Sequence, residues 1–136
     1  LNIGHFSTFV LLASGAGAIG GAAHAGDLTA YNFPNPFDLQ IKYVTTIHGA
    51  GVQTVRGTMV SIGVPLNLSG PGKLLVFDVT GRLIRTIDMG TLAAGQSYYQ
   101  GWDGRNDDGR DVASGLYVGQ IVIGSKRKTF KMAVIK

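Results

Sequence analysis

Residues 102–121 read WDGRNDDGRDVASGLYVGQI, and this stretch decides the fold class. Trp102 is the only Trp in the chain, and a large aromatic closing a strand plugs one end of a core. Asp103-Gly104 and Asp108-Gly109 supply tight turns, because Gly tolerates positive φ and Asp bonds its own downstream amides. Ser114-Gly115 then opens a strand in which Tyr117 and Val118 point to opposite faces. A strand, a doubly turned loop and a second strand make a β-pattern with no helical period.

Working outward, strands are predicted at Leu39–Ile47, Gln53–Val60, Lys73–Asp78, Leu83–Asp88, Gln96–Trp102, Gly115–Ile123 and Thr129–Ile135. Turn signals separate them at His48-Gly49-Ala50-Gly51, Ser69-Gly70-Pro71-Gly72, Val79-Thr80-Gly81 and Gly124-Ser125. Upstream, Pro34 and Pro36 in Tyr31–Phe37 predict an extended lead-in, since each fixes φ and restricts the residue before it. Glu is absent and Gly numbers 21 in 136 residues. Val, Ile, Thr and Tyr are frequent after residue 26, which favours strands. About seven short strands with frequent turns predict a mainly β fold, an antiparallel sandwich of immunoglobulin type. The length allows one modest core. Two units follow: an apolar arm over residues 1–26 and a β-sandwich over 27–136.

Three phrases stand in order: FPNPF at 33–37, FDVTGRLIRTI at 77–87 and the stretch from Trp102, ending in KTFKMAVIK. Together they resemble the immunoglobulin-like domain of the flagellar hook-capping protein family. The same pattern recurs in C-terminal sorting domains of type IX secretion. The resemblance covers roughly residues 31–136 and implies a small β-sandwich, an extracytoplasmic location and no catalysis.

The arm is the second informative feature. Every Asp, Lys and Arg falls between Asp27 and Lys136. Phe6–Ala25 reads FSTFVLLASGAGAIGGAAHA, apolar and about the length of a bilayer-spanning helix. It admits three readings. As a secretory signal, Leu11–Ala18 is the apolar stretch and Ala23-His24-Ala25 the small-x-small cleavage pattern. As a helix, Ala13, Gly17, Gly21 and Ala25 recur every four residues as a small-residue stripe for close packing. As an extended segment, it adds a strand to another subunit's sheet. The spacing favours the helix over the strand. In layout the helical version is similar to the pilin-like subunits of type IV filaments, with His5 where those subunits usually carry a Glu.

The remaining candidates are weaker. Asp103, Asn106, Asp107, Asp108 and Asp111 form an oxygen-rich cluster of the kind that binds Ca²⁺. Their spacing departs from the EF-hand loop, and Arg105 and Arg110 lie inside the cluster, so hydrogen-bonded turns are the default and no metal is expected. His5, His24 and His48 are too scattered for zinc. No nucleophile elbow, phosphate loop or positioned base is present, so no enzyme and no cofactor is expected. Asn67-Leu68-Ser69 is a glycosylation sequon. The run Lys126-Arg127-Lys128, followed by Lys131, lacks the interleaved aromatics of a nucleic-acid platform. It reads as a solvated turn with a lysine-protected edge, and no nucleic-acid partner is expected.

The expected function is a structural subunit of an extracellular, pilus-like bacterial filament that self-assembles with copies of itself. Phe6, Phe9, Val10, Leu11, Leu12, Ala13, Gly17, Ile19, Gly21 and Ala25 would form the assembly interface, with membrane contact before assembly and secretion or assembly machinery as further partners. The alternative is a secreted or membrane-anchored accessory or sorting β-sandwich module in which residues 1–25 are a signal or anchor. A hook-capping scaffold is the weakest of the non-enzymatic readings.

Overall fold

A computed structural model describes residues 10–12, 27–47 and 51–136. It contains strands β1 (Val10–Leu12), β2 (Thr29–Phe33), β3 (Phe37–Asp38), β4 (Lys42–Ile47), β5 (Gly51–Arg56), β6 (Thr58–Gly63), β7 (Gly70–Asp78), β8 (Leu83–Leu92), β9 (Ser97–Trp102), β10 (Gly115–Ile123) and β11 (Lys126–Ile135). Four form one sheet in the order β1-β9-β6-β2, and five form a second in the order β3-β11-β10-β7-β8. All pairs are antiparallel except β3 with β11. A separate hairpin joins β4 to β5. The fold is the mainly β, immunoglobulin-like sandwich that the sequence predicts.

Alternation builds the core. In β10, Tyr117, Ile121 and Ile123 are buried while Val118, Gln120 and Val122 between them are half-exposed. The inner face of β9 contributes Tyr98 and Trp102, and β6 contributes Val60 and Ile62. Opposite lie Leu74 and Val76 of β7, Ile87 and Met89 of β8, and Met132 and Val134 of β11. Trp102 is fully buried, with edge-on contacts to Phe37 at 5.7 Å and Tyr117 at 5.9 Å between ring centroids. It fills the end of the core as its position in the sequence implied. Tyr117 closes that end by donating its hydroxyl to the Ala113 carbonyl at 2.7 Å. Burial and the nearby Asp78 charge hold this hydroxyl above the usual tyrosine range, against the lowering effect of the Ala113 bond, so it stays a donor at neutral pH.

Several elements differ from expectation for identifiable reasons. The predicted strand Gln53–Val60 is two strands broken at Gly57, whose φ of +94° turns the chain beside the β9 terminus. Gly70-Pro71-Gly72, read as a turn, lies within β7. Pairing between β7 and β10 begins only at Gly72, so Pro71 lies beyond the end of β10 and its missing N–H breaks no bond there. Lys126-Arg127-Lys128 opens β11 opposite Ile123, Val122 and Ile121, and the turn is confined to Gly124-Ser125. β3 covers only Val134 and Ile135 of β11, so the exposed basic residues sit on the open part of that edge, where lysine discourages foreign pairing. The lead-in is bent at residues 34–36, with both X–Pro bonds cis. There Asn35 acts as a side-chain bridge to β11, donating to the Lys131 carbonyl at 3.1 Å and accepting from the Ala133 amide at 2.9 Å.

Of the arm, three residues are described, and these form a strand rather than part of a helix. Val10-Leu11-Leu12 lies N-terminal to the Gly-rich stretch, in a run where β9 offers an edge, and Gly15–Gly21 supports a helix poorly. All four residues of the small-residue stripe, Ala13, Gly17, Gly21 and Ala25, and His5, His24 and His48, lie outside the described residues.

Candidate functional site

Two features sit close together in the fold: the sheet edge that receives the arm, and the loop that carries the carboxylates. The first begins with β9, reading SYYQGW. Its inner-face residues Tyr98 and Trp102 belong to the main core. On its outer face Tyr99 meets Phe33 edge-on at 6.2 Å, and both pack against Val55 and Met59 in a second small cluster. Burial, with the nearby Tyr31 hydroxyl, raises the Tyr99 hydroxyl above its usual range, and a bond with Ser61 opposes this. β9 is thus anchored on both faces.

On one side β9 pairs with β6 along its whole length, Ser97↔Gly63 to Trp102↔Thr58. On the other it receives β1 at Val10↔Gln100, Leu11↔Tyr99 and Leu12↔Tyr98. Val10, Leu11 and Leu12 are the three assembly candidates that fall among the described residues. Phe6, Phe9, Ala13, Gly17, Ile19, Gly21 and Ala25 lie outside them.

The loop after Trp102 is organised by arginines. Arg85 of β8 is buried and donates to Asp103 Oδ1 at 3.4 Å and to the Arg105 carbonyl at 3.0 Å, with its Nε 3.7 Å from Asp107. Trp102 donates its indole N–H to that same Arg105 carbonyl at 3.0 Å. Asp107 accepts from the Thr86 amide, and its own amide donates to the Ile84 carbonyl, so the loop is tied along β8. Asn106 Oδ1 accepts from the amides of Asp108 and Arg110 and closes the second turn. Arg56 of β5 reaches across to the Asp103 carbonyl at 2.6 Å and to Asp111 at 2.9 Å, and Arg105 pairs with Asp111 at 3.3 Å. Burial tends to raise the Asp111 pKa, but the bonds and charges of Arg56 and Arg105 outweigh it and leave the carboxyl below its ordinary value.

The five candidate calcium ligands are therefore brought together, but Asp103, Asp107 and Asp111 point to guanidinium groups and Asn106 to backbone amides. Among the described residues no group of three or more His, Asp or Glu side chains is placed to hold a metal ion. A polar depression of about 320 Å³ beside the loop is lined by Arg85, Thr86, Asp103, Arg105, Asn106, Asp107 and Gly109. The chemistry of this set is charge pairing and turn closure. Asn67 is exposed in a turn after Pro65, where a glycan would meet no obstruction from the core. Sequence reading passed over Arg85 and Arg56. A signal for Arg85 was present: in the alternation Arg85, Ile87, Met89 it shares the buried phase.

A family model described as FlgD Ig-like domain matches residues 49–124. Among solved structures, PorZ of Porphyromonas gingivalis, described as an essential bacterial surface component of the type-IX secretion system, is similar at 24% identity. It has a TM-score of 0.47 over 79% of this chain and 11% of PorZ. FlgD of P. aeruginosa is similar at 21% identity and a TM-score of 0.47, over 81% of this chain and 67% of that one. The chain thus spans about a tenth of PorZ and two thirds of that FlgD. No curated protein sequence matches it.

Proposed function

The chain belongs to the FlgD Ig-like domain family, and from that premise we propose that it is a non-catalytic structural subunit of an extracellular assembly, a filament built from copies of itself through the N-terminal arm. The β-sandwich is the outward head, and the arm is the joining element. One observation carries the reading: the arm contributes a strand to a sheet edge of the head, at Val10–Leu12 on Tyr98–Gln100. An apolar arm with no charge before Asp27 needs burial. A dozen apolar residues at roughly 1 kcal/mol or more each would drive assembly past the ordering cost. The carboxylate loop supports a structural role, since its acids are engaged by Arg56, Arg85 and Arg105.

The test is electron microscopy of the purified protein with N-terminal sequencing of the same sample. Filaments whose subunits retain Phe6–Leu12 are expected. Monomers beginning near Gly26 would instead make the chain a secreted accessory module whose first 25 residues are a signal or anchor.

A further inference from the structure

The edges of the two sheets are not equivalent. The open edge of β11 carries Lys126, Arg127 and Lys128. β2 runs into Pro34-Asn35-Pro36, and β8 carries Arg85 and Asp88. Charge and proline on edge strands discourage pairing with other chains. β9, Ser97–Trp102, has neither, and the strand that pairs with it comes from an arm that also has neither.

Among the described residues, β1 pairs with Tyr98–Gln100 of β9, the strand that β6 pairs on its other side. β1 also lies at the opposite edge of the sheet from β2, the strand that follows it in the chain. Three strand spacings, about 14 Å, separate them. Sixteen residues, 13–28, join Leu12 to Thr29, a length that reaches about 55 Å when extended. That tether is long enough to reach the chain's own β9 or that of an adjacent copy.

We propose that β9 is the acceptor edge for the arm of a second copy of this chain, so that β1 is exchanged between neighbours. This rests on the filament reading and names its joint. The contact is the one seen within the chain, at Leu11↔Tyr99. Donor and acceptor are different surfaces of the molecule, so the interface is heterologous. Each copy receives one arm and offers another, and the contact propagates unless the rotation closes a ring.

The chain has no Cys, so engineered thiols report the pairing without background. One tagged full-length preparation carries Leu11→Cys and a second carries Tyr99→Cys; they are mixed before assembly and oxidised mildly. The expected result is a covalent heterodimer on a denaturing gel, with a yield about tenfold above a Leu11→Cys and Lys131→Cys mixture, as the local concentration at a docked edge requires. If Tyr99→Cys fails to fold, Leu11→Cys with Ser97→Cys is used instead. That pair is diagonal across the two strands, roughly 7–8 Å apart, and is bridged by a short bismaleimide. Absence of the heterodimer, with closure only within one chain in the Leu11→Cys/Tyr99→Cys double variant, overturns the exchange. Filaments without the heterodimer leave the filament reading standing and remove this joint. A heterodimer without filaments keeps the exchange and removes the filament. Neither product sinks both.

Discussion

Arg85 carries a charge into a strand whose same-phase neighbours Ile87 and Met89 are core residues. It is tolerated because Asp103, itself buried, and the Arg105 carbonyl meet its guanidinium. Removing one member of such a pair leaves the other buried and uncompensated, at a cost of about 3 kcal/mol. Arg85→Ala is therefore expected to lower unfolding free energy by about that amount in urea titration, whereas exposed Arg82→Ala changes it by less than about 0.5 kcal/mol. Equal effects from the two variants would remove Arg85 from its structural role. Gly57 is the second position where one atom decides. A Cβ there would collide with the Trp102 carbonyl oxygen and lie 2.8 Å from Asp103 Cα, at a φ of +94°. Backbone on both counts cannot yield as a side chain can, so Gly57→Ala should cost about 2 kcal/mol or more. Gly109→Ala, also at positive φ but with open space around it, separates the conformational share from the steric one. At this scale the sequence revealed Trp102 well. It concealed the Arg85–Asp103 pair, since a partner eighteen positions away leaves no local pattern.

Elements were legible where their residues alternate strictly. β10 starts and ends where predicted because Tyr117, Ile121 and Ile123 mark one phase and turn residues bound it. Elements were missed where identity depends on what lies alongside. β2 and β3 are short, and their pairing with β6 and β11 has no signature in their own residues. The arm was misjudged at Val10–Leu12 for a related reason: a four-residue Gly/Ala spacing is visible in sequence, while an available edge on β9 is not. The β7–β8 turn shows the converse case, in which local chemistry suffices. Asp78 Oδ1 accepts from the Thr80 hydroxyl at 2.6 Å, the Thr80 amide at 2.9 Å and the Arg82 amide at 3.0 Å. The Thr80 hydroxyl bond, then the Arg82 amide, hold the carboxyl below its ordinary 3.8. Asp111, joined to β5 by Arg56, is also lowered. A carboxyl whose folded pKa is depressed stabilises the fold above its unfolded pKa, and that contribution is lost as pH falls through the folded value. The urea midpoint is accordingly expected to stay level from neutral pH to about 5 and to fall below about 4. An Asp78→Asn/Asp111→Asn variant starts lower at neutral pH and falls less in acid. A variant that falls as steeply as the parent would assign the acid branch to other carboxyls.

At the scale of the whole molecule, the head and the arm answer to different physics. Among the described side chains, the buried members of the main core run from Leu28 through Val134. Its mutual support lies in the two facing sheets, one of which carries β1 at its edge, and in the arginine-tied loop below Trp102. Among the described residues, the arm adds the β1 pairing to one edge. Deleting residues 1–26 should therefore leave a head that unfolds cooperatively, with its melting temperature lowered by no more than a few degrees, as the loss of about 1 kcal/mol of edge pairing implies. The near-UV signal of Trp102, packed between Phe37 and Tyr117, should persist. The same deletion exposes the β9 edge and removes the donor strand together, so it abolishes self-assembly without unfolding the subunit. A truncated chain that melts broadly, or loses the Trp102 signal, would mean that the arm belongs to the folding unit. The division into a joining arm and an autonomous sandwich would then be wrong, because the same strand would be needed to complete each head before any neighbour could share it.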